Sequence, residues 1–170
     1  MLTVAAMLKG KTVAPRVSMS VSPGSRQVLT MLSESGALND ILLSGARLLE
    51  CACGPCIGMG FSPNSAGVSL RTFNRNFLGR SGTKDGQGYL VSPETAVASA
   101  LTGCITDPRT LGEAPVITLP TAFRGDDRAV LAPLPPEQAK DAAILRGPNI
   151  KEFPAGNPVK DEIRAKLTLK

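Results

Sequence analysis

The chain has 170 residues, of which 42% are hydrophobic and 19% charged, the composition of one ordinary globular domain. Aromatic residues are only 4% and the net charge is +5, so the core must be aliphatic and no basic stripe interleaved with aromatics marks a nucleic-acid surface. No apolar run approaches the ~18 residues that a membrane span needs.

The amino terminus, residues 1–9, reads as a helix stopped by Gly10. It lacks the basic start and the cleavage site of a secretion signal. It looks like the end of an element whose earlier half is absent. Residues 17–21 alternate apolar and small polar side chains, as a strand does. Pro23-Gly24-Ser25 ends that run. Ser25 can then cap a helix whose Val28, Leu29 and Leu32 share one apolar face, with Gly36 near its end. A second short helix over residues 38–43 stops at Gly45. Residues 47–51 read as a strand that delivers a cysteine loop.

That loop is Cys51-Ala52-Cys53-Gly54-Pro55-Cys56-Ile57-Gly58-Met59-Gly60. Gly54 and Pro55 bend the chain so that the sulfurs of Cys53 and Cys56 can face one way. A thioredoxin-type redox pair uses the same four residues, but there the first cysteine opens a helix. Residues 57–63 hold two glycines and a proline, and the chain has no Trp. A structural zinc site needs four ligands, usually in two pairs. The chain has no His, and Cys51 and Cys104 do not form a second pair. An iron–sulfur cluster is the third reading, and an inert thiol pair the fourth. Cys51 and Cys104 themselves read as buried small hydrophobes. Four cysteines of this kind suit a reducing compartment, so a cytoplasmic location is expected.

Residues 68–73 read as a strand that delivers Asn74-Arg75-Asn76-Phe77-Leu78-Gly79-Arg80 at its end. Residues 79–88 read as loop. Ser92-Pro93-Glu94 then opens a helix with a capping serine, a proline at the first turn and an acid near the helix amino end. It runs to Gly103 with many alanines, which suggests close packing on a sheet. From residue 112 to 136 prolines recur without a period, as in an extended linker. Asp126-Asp127-Arg128 reads as a solvated turn, and residues 166–170 as the first strand of a further domain. There is no internal repeat.

Cys53-Gly54-Pro55-Cys56-Ile57-Gly58, the Asn-Arg-Asn-Phe-x-Gly-Arg segment and Tyr89-Leu90-Val91-Ser92-Pro93-Glu94, in this order and spacing, resemble the aconitase family of iron–sulfur hydro-lyases. The resemblance covers residues 13–154. It implies an α/β fold: part of a three-layer α/β/α iron–sulfur domain over residues 1–111, a proline-rich linker over 112–149, and the start of a truncated swivelling domain over 150–170. It also implies that Cys53 and Cys56 are two of three thiolate ligands of a 4Fe-4S cluster. No cysteine precedes Cys51, so the third ligand is expected outside this chain. Asn74, Arg75 and Arg80 are implied to bind a di- or tricarboxylate substrate. The planar guanidinium fork suits carboxylates in a way that an ammonium does not. Arg71 lies outside the matched positions and reads as structural.

The resemblance leans toward an aconitate hydratase that interconverts citrate and isocitrate in the tricarboxylic acid cycle. The alternative in the same class is an isopropylmalate or homoaconitate dehydratase large subunit. A third reading, from another class, is a non-catalytic scaffold or RNA-binding relic. The family's acid–base groups match nothing in this chain. The expected partner is the rest of a parent enzyme, of which this chain is a fragment without turnover of its own.

Overall fold

The computed structural model describes residues 1–122, 125 and 127–166. The chain divides into two units, Met1–Asp127 and Arg128–Lys170. In the first unit the elements follow as α1 (Leu2–Leu8), β1 (Ser20–Val21), α2 (Arg26–Glu34), α3 (Ala37–Leu43), β2 (Arg47–Leu48), β3 (Val68–Arg71), β4 (Gln87–Leu90) and α4 (Pro93–Thr102).

Capping sets the helix starts. The Ser25 hydroxyl accepts the Val28 N–H at 3.2 Å and opens α2. Gly36, at φ 78°, separates α2 from α3. Ser92 does for α4 what Ser25 does for α2, accepting the Thr95 N–H at 3.1 Å. Gly103, at φ 78°, closes α4 in the left-handed region. A Cβ there would come within 2.7 Å of Arg16 Nε, so the position needs glycine for space as well as for conformation.

The core is aliphatic, as the composition requires. Val4, Ala5, Met7 and Leu8 of α1 pack with Val21, Leu32, Ile41, Ala46 and Val97. Helix α1 touches both α3 and α4, and α2 touches α3. Val97 and Ala98 have no exposed surface, and the small side chains of α4 let its backbone approach α1 closely.

Two parallel strand pairs are present among the described residues. β1 pairs with β2 in the register Ser20 to Arg47 and Val21 to Leu48. α2 and α3 make the crossover between them, as parallel pairing demands. β3 pairs with β4 in the register Val68 to Gln87 through Arg71 to Leu90. The crossover of this second pair is residues 72–86, which carry Asn74, Arg75 and Arg80. These mixed helices and short parallel strands are compatible with an α/β fold.

Several elements differ from the sequence expectation. The strand expected over 17–21 is restricted to Ser20–Val21, because Val17 donates to the Ala14 carbonyl in a turn. The strand expected over 47–51 ends at Leu48, where the chain bends into the cysteine loop. The strand expected over 68–73 ends at Arg71. Part of the loop expected over 79–88 is β4, whose partner lies far away in sequence, so local pattern does not mark it. Gly112 to Pro135 forms no regular element among the described residues, and a short helix α5 (Pro136–Ala139) follows it in the second unit. That unit is exposed throughout its described length and holds local pairs such as Lys140 Nζ with Glu137 at 3.0 Å. Asp126 and residues 167–170 lie outside the described residues, so the turn and most of the strand expected there are not part of this description.

Candidate functional site

The cysteine loop leaves the carboxyl end of β2. Just before it, the Ser22 hydroxyl at the end of β1 donates to the Glu50 carbonyl at 2.6 Å, tying the loop's entry to both strands. Gly54–Ile57 then forms one 3₁₀ turn. The Gly58 N–H donates to the Pro55 carbonyl at 3.1 Å and the Met59 N–H to the Gly54 carbonyl at 3.0 Å. Gly58 sits at φ 89°, and a Cβ on it would lie 2.7 Å from Ser81 Oγ. The turn therefore closes tightly and packs directly on the later loop.

Cys56 is 3% exposed, and Cys53 is exposed at the rim. The thiol of Cys56 faces the Arg75 carbonyl at 3.8 Å, and Arg80 Nη2 donates to its sulfur at 3.7 Å. The hydrogen bond from Arg80 pulls the Cys56 thiol below its ordinary value; burial opposes this, and a hydrogen bond from Cys53 and the charges of Arg80 and Arg71 add to the lowering. The thiolate is the form that binds a metal.

Arg71 ends β3 and is 6% exposed. Its Nη1 donates to the Cys56 carbonyl at 3.1 Å, its Nη2 to the Pro55 carbonyl at 3.4 Å and its Nε to Ser69 Oγ at 3.1 Å. Ser69 and Arg71 are two apart on a strand and so share a face. One guanidinium thus fixes two carbonyls of the cysteine turn to β3. Burial lowers the Arg71 pKa, while the nearby Cys56 thiolate opposes that shift. The strand spacing was the signal for this contact, and the sequence reading went only as far as a structural role.

Of the residues expected in the site, Cys53, Cys56 and Arg80 come together. Arg75 joins them through its backbone carbonyl, while its side chain and that of Asn74 are exposed. Arg80 also lies over the Phe77 ring, 5.7 Å from its centre. Cys51 is only half-buried, and Cys104 is exposed, contrary to the expectation for both. Cys51 falls in the open bend after β2. Cys104 follows the left-handed turn at Gly103, which carries it away from the core, and its sulfur rests 3.7 Å from the hydroxyls of Thr102 and Thr106. Those hydroxyls, Thr102 foremost, hold the Cys104 thiol below its ordinary value.

The donor set fits part of a thiolate cluster site. Two sulfurs share one tight turn, with two cations on the side of the buried one and no competing carboxylate in their hydrogen bonds. Among the described residues, no group of three or more His, Cys, Asp or Glu is placed to hold a metal ion. No helix among the described residues is long and apolar enough to cross a membrane.

The chain is 44% identical to a 3-isopropylmalate dehydratase large subunit of Methanoregula boonei, over 64% of this chain and 26% of that one. It is 43% identical to a homoaconitase large subunit of Thermus thermophilus, over 64% and 26%. A mitochondrial homoaconitase of Candida albicans is 43% identical over 69% and 17%. The match thus spans about a quarter of each large subunit and about a sixth of the mitochondrial protein. These names are those of the alternative dehydratases rather than of an aconitate hydratase, which corrects the balance between the two expectations. The model of the aconitase family (aconitate hydratase) matches residues 1–103, short of the residue 154 that the sequence resemblance reaches. The chain belongs to the aconitase family.

Proposed function

We propose that this chain supplies the thiolate turn and one carboxylate-binding arginine of a hydro-lyase that acts on an isopropylmalate- or homoaconitate-type substrate. The observation that carries the reading is the contact of Arg80 with the buried sulfur of Cys56, in a turn whose carbonyls Arg71 holds. It brings a cation, a thiol pair and the end of a parallel strand to one place. The names of the relatives favour these substrates over citrate.

Cys53 and Cys56 would hold a 4Fe-4S cluster as two of its thiolate ligands, with the third supplied from outside this chain. When bound, the cluster supplies a Lewis acid for the substrate's hydroxyl. Arg80 presents a planar fork that can clamp a substrate carboxylate while its Nη2 stays near the sulfur. Arg75 and Asn74, exposed at the mouth of the site, have side chains free to reach the same substrate. Arg71 is committed to backbone carbonyls and keeps the turn in shape. A complementary small subunit, or further domains of the same polypeptide, would complete the acid–base groups; the finer three-layer α/β/α arrangement and the linker and swivelling segments belong to the same proposal.

A chimera tests this. Residues 1–103 replace the matching segment of the Methanoregula boonei large subunit, and turnover is measured with the matching small subunit on isopropylmalate, homoaconitate and citrate. The reading expects turnover on one of the first two above that on citrate. A folded chimera with no turnover on any of them, or with citrate preferred, would overturn it.

A further inference from the structure

Between the strand pair β3–β4 and the loop after Gly79 lies a cavity of about 10 Å³, lined in part by Ser69, Arg71, Asn76, Arg80, Ser81 and Gly88. That is about the space of one water molecule. Two of the residues on its wall, Arg80 and Ser81, each carry a buried polar atom without a protein partner, Nε and Oγ. Ser81 as a whole is 6% exposed. Buried donors of this kind are normally satisfied, by protein or by an ordered water.

The wall also carries acceptors. A Cβ on Gly88 would lie 2.8 Å from the Asn76 carbonyl oxygen, and one on Gly86 would lie 3.3 Å from the Ser81 carbonyl oxygen. Donors and acceptors together suit a neutral molecule that can both give and accept hydrogen bonds.

We propose that one ordered water bridges Arg80 Nε and Ser81 Oγ in this cavity, and that Ser81 is the positioning residue for the Arg80 guanidinium. The other edges of that group are already set: Nη2 meets Cys56 Sγ at 3.7 Å, and the plane rests over Phe77. Fixing Nε removes the remaining rotation, so the fork is held in place before any carboxylate arrives. Gly58 packs on the Ser81 hydroxyl, so the cysteine turn and the Arg80 support are one assembly. The role of Arg80 toward a carboxylate rests on the hydro-lyase reading; the water bridge does not.

The test uses the full 170-residue chain. A high-resolution crystal structure is expected to show an ordered water within hydrogen-bond distance of both atoms, and a bromide soak is expected to leave no anomalous peak there. In arginine-labelled protein, the Arg80 Nε–H is expected to exchange slowly with solvent. Ser81→Ala should speed that exchange about tenfold, the effect of one ordinary hydrogen bond, and leave Arg71 Nε–H exchange unchanged. Ser81→Cys, close to isosteric, serves if the alanine variant does not fold. A bromide peak, an empty cavity, or an Arg80 exchange rate indifferent to both substitutions would overturn the proposal. None of these readouts depends on turnover, so failure of the hydro-lyase reading leaves them intact.

Discussion

Two arginines nine residues apart do different work around one buried sulfur. Arg71 spends its donors on the Pro55 and Cys56 carbonyls and on Ser69, so its removal is felt by the fold. Arg71→Met is expected to destabilise the first unit by about 2 kcal/mol, because carbonyls that lose a charged donor are left poorly satisfied. The denaturant midpoint of the full chain measures this. Arg80 keeps its fork near the sulfur and at the site. Arg80→Lys in the chimera is expected to lower kcat/KM by roughly tenfold to a hundredfold, the worth of a charged bidentate contact, and more than Arg71→Lys does. Equal losses would mean that the carboxylate role belongs elsewhere.

The same contact predicts a pH dependence. The fold lowers the Cys56 pKa from its ordinary value of 9.0, with the Arg80 hydrogen bond the largest cause. An acid whose pKa falls on folding adds stability above its unfolded value and loses it as pH drops through the folded one. The first unit should therefore gain stability as pH rises toward 9.0 and level off above it. Arg80→Gln should flatten that slope. Unfolding midpoints across this range, for wild type and variant, decide it; an unchanged slope would detach Arg80 from the thiol.

At the scale of elements, the site rests on short, well-capped pieces. Ser92→Ala removes the acceptor for the Thr95 N–H and is expected to cost about 1 kcal/mol. Gly58→Ala is expected to cost more, since it strains a left-handed position and drives a methyl into Ser81. Thermal unfolding ranks the two. These helices were legible in the sequence: Ser25, Gly36, Ser92 and Gly103 are local signals, and α2, α3 and α4 begin and end within a residue or two of them. The strands were less legible. Parallel pairs join segments far apart in sequence, so β4 hid behind Gly86 and Gly88 and the earlier strands came out shorter than their alternation suggested. The meeting of Cys53, Cys56 and Arg80 followed from the motif. The contacts by which Arg71 holds the cysteine turn did not, because they depend on which face of β3 turns toward it. The exposure of Cys104 was hidden as well, since composition says nothing about the turn at Gly103.

At the scale of the whole molecule, no group of three or more His, Cys, Asp or Glu among the described residues is placed to hold a metal ion. The 170-residue chain alone is therefore expected to hold iron well below a full cluster complement after anaerobic reconstitution, as read by iron and sulfide analysis. In the second unit, apolar residues such as Leu131 and Leu145 are 95% and 94% exposed.

On the proposed reading Cys53 and Cys56, and not Cys51, hold the cluster. The most direct measurement is the iron and inorganic sulfide content of the reconstituted chimera beside its Cys51→Ser, Cys53→Ser and Cys56→Ser variants, each checked for fold by circular dichroism. The account predicts a full cluster in the chimera and in Cys51→Ser, and loss of the cluster in Cys53→Ser and Cys56→Ser. A full complement in either of the last two, or an equal loss in Cys51→Ser, would contradict it.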